Sequence, residues 1–148
     1  METQSKPAKP TIGAPVIGSG ESGLVSILFT CYNHLSFIQE AWESILSQTY
    51  THWEVIALDD GSTDGTREWL TGIDHPRLRV ILNEENLGTY GTLNRGLQEA
   101  RGEFIAVFND DDHWGPNKLE RQIALLHSDD RVGLVHTNGS FIDAKGEK

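Results

Sequence analysis

The alternation of strand-like and helix-like segments constrains this chain most. Val25 to Cys31 is a β-rich run, and Ser36 to about Gln48 has helical period. Within that helix Ile38, Ala41, Trp42, Ile45 and Leu46 share a face, and Ser36 with Gln39 reads as a capping box. Trp53 to Leu58 is a second strand. The N-cap types Ser62, Thr63 and Asp64 lead into a short helix through Trp69 and Leu70. Leu78 to Leu82 is a third strand. Thr89 to Ala100 is a helix with Gly102 at its C′ position, and Glu103 to Phe108 is a fourth strand. Pro116 at a first helical position opens a helix through Leu119, Ile123 and Leu126. Val132 to Thr137 reads as a fifth strand and Ser140 to Ile142 as another short one. Such alternation implies an α/β fold, a mostly parallel sheet with helices on both faces. The first, second and fourth strands are nearly continuously apolar, as expected where both faces are covered.

Composition narrows the class. The 148 residues suffice for one domain. Residues 1–23 hold three of the five prolines and four of the fifteen glycines, and read as a flexible leader; residues 24–148 form the folded part. The net charge of −10 disfavours nucleic acid and anionic membrane surfaces, and means that an anionic ligand needs a cation beside it. The single cysteine, Cys31, excludes an internal disulfide and a cysteine-based zinc site. The longest apolar run, Phe104 to Phe108, is far short of the roughly 20 residues of a membrane span. The expected location is the cytoplasm, with peripheral attachment to the inner membrane face left open to other segments.

Polar clusters follow three strands: Thr30-Cys31-Tyr32-Asn33, Asp59-Asp60-Gly61-Ser62 and Asn109-Asp110-Asp111-Asp112. Ligands of open α/β sheets bind outside the carboxyl ends of strands, where strand order reverses. A 3-2-1-4 order brings all three clusters to one crevice. Three adjacent carboxylates repel one another, and a hard cation such as Mg²⁺ or Mn²⁺ relieves this. The rival reading is a solvated acidic loop. Neither G-x-G-x-x-G nor Walker A is present, and the six histidines show no metal-ligand spacing. His113 lies beside the aspartates in sequence, as does Trp114.

The ordered set VSILFTCYN, LSQTYTHWEVIALDDGSTDGT, NEENLGTYGTLNRGL and GEFIAVFNDDDHWGPNKLERQ, over about residues 24 to 143, resembles the family 2 glycosyltransferases. The resemblance implies the Rossmann-like, A-type nucleotide-diphospho-sugar transferase (GT-A) fold, here as its donor-binding part. It implies a nucleotide-sugar donor, most often a UDP-sugar, an acceptor that is a glycan, lipid or small molecule, a divalent cation (Mn²⁺ or Mg²⁺) and inversion at the anomeric centre. By resemblance, Thr30, Tyr32 and Asn33 line the nucleoside pocket. Asp60 hydrogen-bonds the base, with Asp59 nearby. Asp111 binds the metal, assisted by Asp110 and Asp112, and Asp110 also faces the donor. Asn109 stands at the first aspartate of the family's D-x-D motif, and Leu93 where the pattern often has arginine. No catalytic base is identified up to Lys148. The alternative is a non-catalytic nucleotide-sugar-binding or regulatory module of the same fold. An incompletely covered sheet is expected to self-associate into a homo-oligomer.

Overall fold

A computed structural model describes residues 20–142. Four strands form one sheet in the order β3-β2-β1-β4. They are β1 (Glu21–Cys31), β2 (Trp53–Asp59), β3 (Leu78–Leu82) and β4 (Gly102–Asn109). All three pairings are parallel. The helices are α1 (Leu35–Leu46), α2 (Thr66–Thr71), α3 (Gly88–Glu99) and α4 (Lys118–Leu126).

Side-chain alternation along β1 and β2 builds two cores. Val25, Ile27, Phe29 and Cys31 join Trp53, Val55 and Ala57 beneath α1, α2 and α4, packed on Ile38, Trp42, Ile45, Leu70, Leu119 and Ile123. Leu28, Ile56 and Leu58 point the other way, against Leu93 and Leu97 of α3. Helices therefore cover both faces. The loop after β4 is tied to α1 by Gln48, which donates to Gly115 O at 2.9 Å and accepts from Leu119 N–H at 3.1 Å.

Several local expectations are corrected. β1 begins at Glu21, inside the segment read as a leader; residues 1–19 lie outside the described ones. The Ser36–Gln39 capping box does not form: α1 starts at Leu35, whose N–H goes to Asp64 Oδ2 at 2.9 Å, while Gln39 bonds Glu43. The cap of α2 is Gly65, with a left-handed φ of 102°, not one of the three polar residues before it. Gly102 opens β4 instead of closing α3, pairing with Glu21; it is glycine there because a Cβ would lie 2.5 Å from Leu24 O. Pro116 lies two residues before α4. Residues 132–137 and 140–142 are not strands: Val132 N–H donates to Asp129 O at 2.8 Å and Val135 O accepts Gln122 Nε2 at 3.2 Å, and among the described residues no strand pairs with them. β4 is consequently only half-covered, and Val107 is 52% exposed.

Candidate functional site

The carboxyl ends of β1, β2 and β4 lie side by side, since Cys31 pairs with Asp59 and Thr30 with Asn109. Backbone bonds extend this contact past the strands: Asp60 N–H donates to Cys31 O at 2.9 Å and Asp110 N–H to Thr30 O at 3.1 Å. The three polar clusters thus lie side by side at the carboxyl end of the sheet, around β1.

On the β4 side, Asp110 is buried and its carboxylate bridges two loops. Oδ2 accepts the Tyr32 N–H at 3.0 Å, and Oδ1 faces His34 Nδ1 at 2.9 Å. Burial pushes the Asp110 carboxyl above the usual carboxylate range, although the bonds from His34 and Tyr32 pull it back. The hydrogen bond to Asp110 raises the pKa of His34. His34, Asp110 and Asp111 each offer a ligand atom within 4.8 Å of the others. Asp111 is exposed. Asp112 instead accepts from Asn109 Nδ2 at 3.2 Å, and Asn109 Oδ1 takes the Thr30 hydroxyl at 2.9 Å. His113 lies near Glu40, at 3.5 Å, away from this group. Trp114 packs on Phe108 in the core, its ring 4.2 Å away.

On the β2 side, Asp59 is fully buried; its Oδ2 receives Arg67 Nε at 3.1 Å and its carboxylate holds the Ser62 N–H. Asp60 is 5% exposed and bonded to Asn83, Leu87 and Thr92. Burial alone would raise its pKa, but the donors from Leu87, Thr92 and Asn83 outweigh it and hold the carboxyl below its ordinary value. Asn33 has a left-handed φ of 55°. Its N–H bonds Ser62 Oγ at 3.1 Å and its side-chain oxygen accepts the Thr63 N–H at 2.8 Å, so it braces the β1 and β2 loops together. Tyr32 is 44% exposed at the crevice, and Cys31 is buried behind it.

Sequence reasoning missed His34, Asn83, Thr92 and Arg67. His34 directly follows the first polar cluster, so extending that cluster by one residue finds it. Asn83 ends the third strand, where the same strand-end rule applies. Thr92 carries no sequence signal, because its partner is 32 residues away. Leu93 faces the sheet core of β1 and β2.

The two carboxylates and the imidazole offer three ligand atoms to a divalent cation. Among the described residues no helix is long and apolar enough to cross a membrane.

A family model described as glycosyl transferase family 2 matches residues 26–148. A UDP-Glc:alpha-D-GlcNAc-diphosphoundecaprenol beta-1,3-glucosyltransferase of Escherichia coli, WfgD, is 40% identical over 120 residues, which is 81% of this chain and 47% of the relative. The mannosyltransferase PcManGT from Pyrobaculum calidifontis, solved with GDP-Man and Mn²⁺, superposes with a TM-score of 0.66 at 30% identity. That match covers 74% of this chain and 33% of the other. TarS of S. aureus, solved with UDP-GlcNAc, gives a TM-score of 0.65 at 28% identity, over 70% of this chain and 31% of the other. The chain therefore spans less than half the length of these relatives.

Proposed function

The chain belongs to glycosyl transferase family 2 and has its A-type nucleotide-sugar transferase fold; from that premise we propose that it forms the donor-binding part, residues 24–148, of a metal-assisted, inverting transferase using a UDP-sugar. The observation that carries this reading is that Asp60, just past β2, and Asp110 and Asp111, just past β4, flank the carboxyl end of β1, the strand between those two.

In this reading Asp60 accepts the N–H of the base, since an ionised carboxylate can only accept. Thr30 and Tyr32 line the nucleoside pocket, with Asp59 and Asn33 fixing the loops around it. Asp111, with Asp110 and His34, would hold a Mn²⁺ or Mg²⁺ ion; Asp112 supports the loop through Asn109. When bound, the ion stabilises the charge that gathers on the departing nucleoside diphosphate. That help matters on a chain with net charge −10, which otherwise repels the donor. The acceptor hydroxyl, of a glycan, lipid or small molecule, attacks the anomeric carbon from the opposite face, and a general base takes its proton. WfgD is named for a lipid-linked acceptor, which supports work at the inner membrane face by a cytoplasmic enzyme.

Thermal unfolding of the chain with UDP, GDP, CDP, dTDP and ADP, each with and without Mn²⁺, tests the reading. Ligand at 100 times Kd adds about 2.7 kcal/mol to a folded state that binds it. The expected outcome is a UDP shift that requires Mn²⁺ and is lost in Asp111→Ala. A metal-independent shift, or one that survives this substitution, removes the metal assignment; a different preferred nucleotide changes the donor.

A further inference from the structure

The acidic turn after β4 is held at both ends, and α1 with the residues beside it takes part in each hold. Asp111, Asp112 and His113 are exposed, whereas Asp110 before them and Trp114 after them are buried. The leading end is fixed through Asp110. Its N–H goes to Thr30 O, and its carboxylate takes the Tyr32 N–H and meets His34, the residue before α1. The trailing end is fixed by the other half of the helix and the residues that follow it. Ser44 Oγ accepts the Trp114 N–H at 3.2 Å. Gln48 Nε2 donates to Gly115 O, and Gln48 Oε1 takes the Leu119 N–H. The Thr49 N–H reaches Pro116 O at 2.8 Å. Residues 110–116 therefore lie along α1, met by His34 at one end and by Thr49 at the other.

The trailing anchors have one arrangement only. Gln48 is 5% exposed and uses both amide hydrogens, the second on Ser44 O at 3.1 Å, while its oxygen faces an N–H. Reversing the amide would set its NH₂ against the Leu119 N–H and its oxygen against two carbonyls. Ser44 is 2% exposed and donates its hydroxyl hydrogen to Ala41 O at 2.7 Å, so its oxygen is left to accept from Trp114. Buried polar groups satisfied in this way specify a single geometry.

We infer that Ser44 and Gln48 are positioning residues for cation binding at Asp111. They act through backbone bonds to residues 114, 115 and 119, fix the trailing end of the turn, and so fix where the Asp111 carboxylate stands. The inference rests on the reading of Asp111 as a cation ligand. A divalent cation needs its ligand oxygens at set distances, so a turn released at one end holds it less tightly.

Two measurements test this on wild type, Gln48→Leu, Ser44→Ala and Val55→Ala, the last a core truncation on β2 that serves as a control. Amide hydrogen exchange reads the hold without any cation. The Asp112 N–H, bonded to Asn109 O at 3.2 Å, reports on the turn itself. Its exchange is expected to quicken about tenfold in Gln48→Leu and Ser44→Ala and to keep the wild-type rate in Val55→Ala. Titration with Mn²⁺ in the presence of UDP, the free ion followed by electron paramagnetic resonance, reads the consequence. Gln48→Leu and Ser44→Ala are expected to bind Mn²⁺ about tenfold more weakly, with Val55→Ala unchanged. Unaltered exchange or unaltered Mn²⁺ affinity in a folded variant overturns the role of that residue. An equal loss in Val55→Ala assigns the effect to general stability and overturns the inference. If Gln48→Leu does not fold, Ser44→Ala, which removes a single oxygen, decides alone. A wild type that binds no Mn²⁺ brings down the cation reading of Asp111 and this inference with it, whereas affinity lost by wild-type standards in neither variant overturns the inference alone.

Discussion

Asp60 and Asp110 are both buried carboxylates just past strand ends, yet their surroundings push them in opposite directions. Asp60 is surrounded by donors and held low, whereas burial dominates at Asp110 and holds it high. The sign for Asp60 follows by linkage. A carboxyl whose folded pKa lies below its unfolded value of about 3.9 adds stability that is present above that pH and is lost as pH falls through the folded pKa. The stability advantage of wild type over Asp60→Asn in urea melts should therefore shrink below about pH 4. A gap that stays constant to pH 2.5 would show that the donors do not favour the charged form. The acids themselves were legible in the sequence, because polar residues after apolar strands announce a site. Their partners were not. His34, Asn83 and Thr92 earn their roles through contacts 76, 23 and 32 residues distant, and no local pattern encodes those.

At the scale of elements, α3 lies close to the sheet because Gly96 has no side chain. A Cβ there would stand 2.6 Å from Leu58 Cδ1 and 3.2 Å from Leu28 Cδ2. Thr92 is one turn earlier on the same face, so this close approach is what lets its hydroxyl reach Asp60. Gly96→Val should lift the helix. The expected loss is about 1–3 kcal/mol in urea melts, with UDP binding weakened as well. Unchanged binding in a folded variant would separate helix seating from the site. Strand and helix bodies follow from apolar period, and the 3-2-1-4 order, taken as the premise that brings the polar clusters together, is the order observed. Element ends did not. The first N–H of α1 is satisfied by Asp64, 29 residues on, and a cap reading that looks three residues ahead cannot find it. The fifth strand is a related case: an apolar run shows its own period but not whether its backbone pairs with a neighbouring strand, and residues 132–137 leave the outer edge of β4 unpaired.

Over the whole molecule, charge and apolar exposure pull against each other. The net charge of −10 opposes association, while Val107 of the half-covered β4 and Leu134 beside it are exposed, as is Phe141. Self-association through this face is expected, and more strongly at high salt, which screens the repulsion. Light scattering across a concentration series at low and high salt checks it; a monomer under all conditions rules it out.

The central position of β1 has a temporal consequence. It is the first made of the four described strands, yet the partner on one side, β4, is the last of the four, and His34 waits 76 residues for Asp110. Such distant pairings slow folding towards milliseconds to seconds. A chain emerging from a ribosome can pair β1 with β2 and β3 and gather the donors around Asp60 well before Asp110 and Asp111 exist. In the proposed reading the residues for the base and those for the cation are thus made at different moments of synthesis, those for the cation after those for the base.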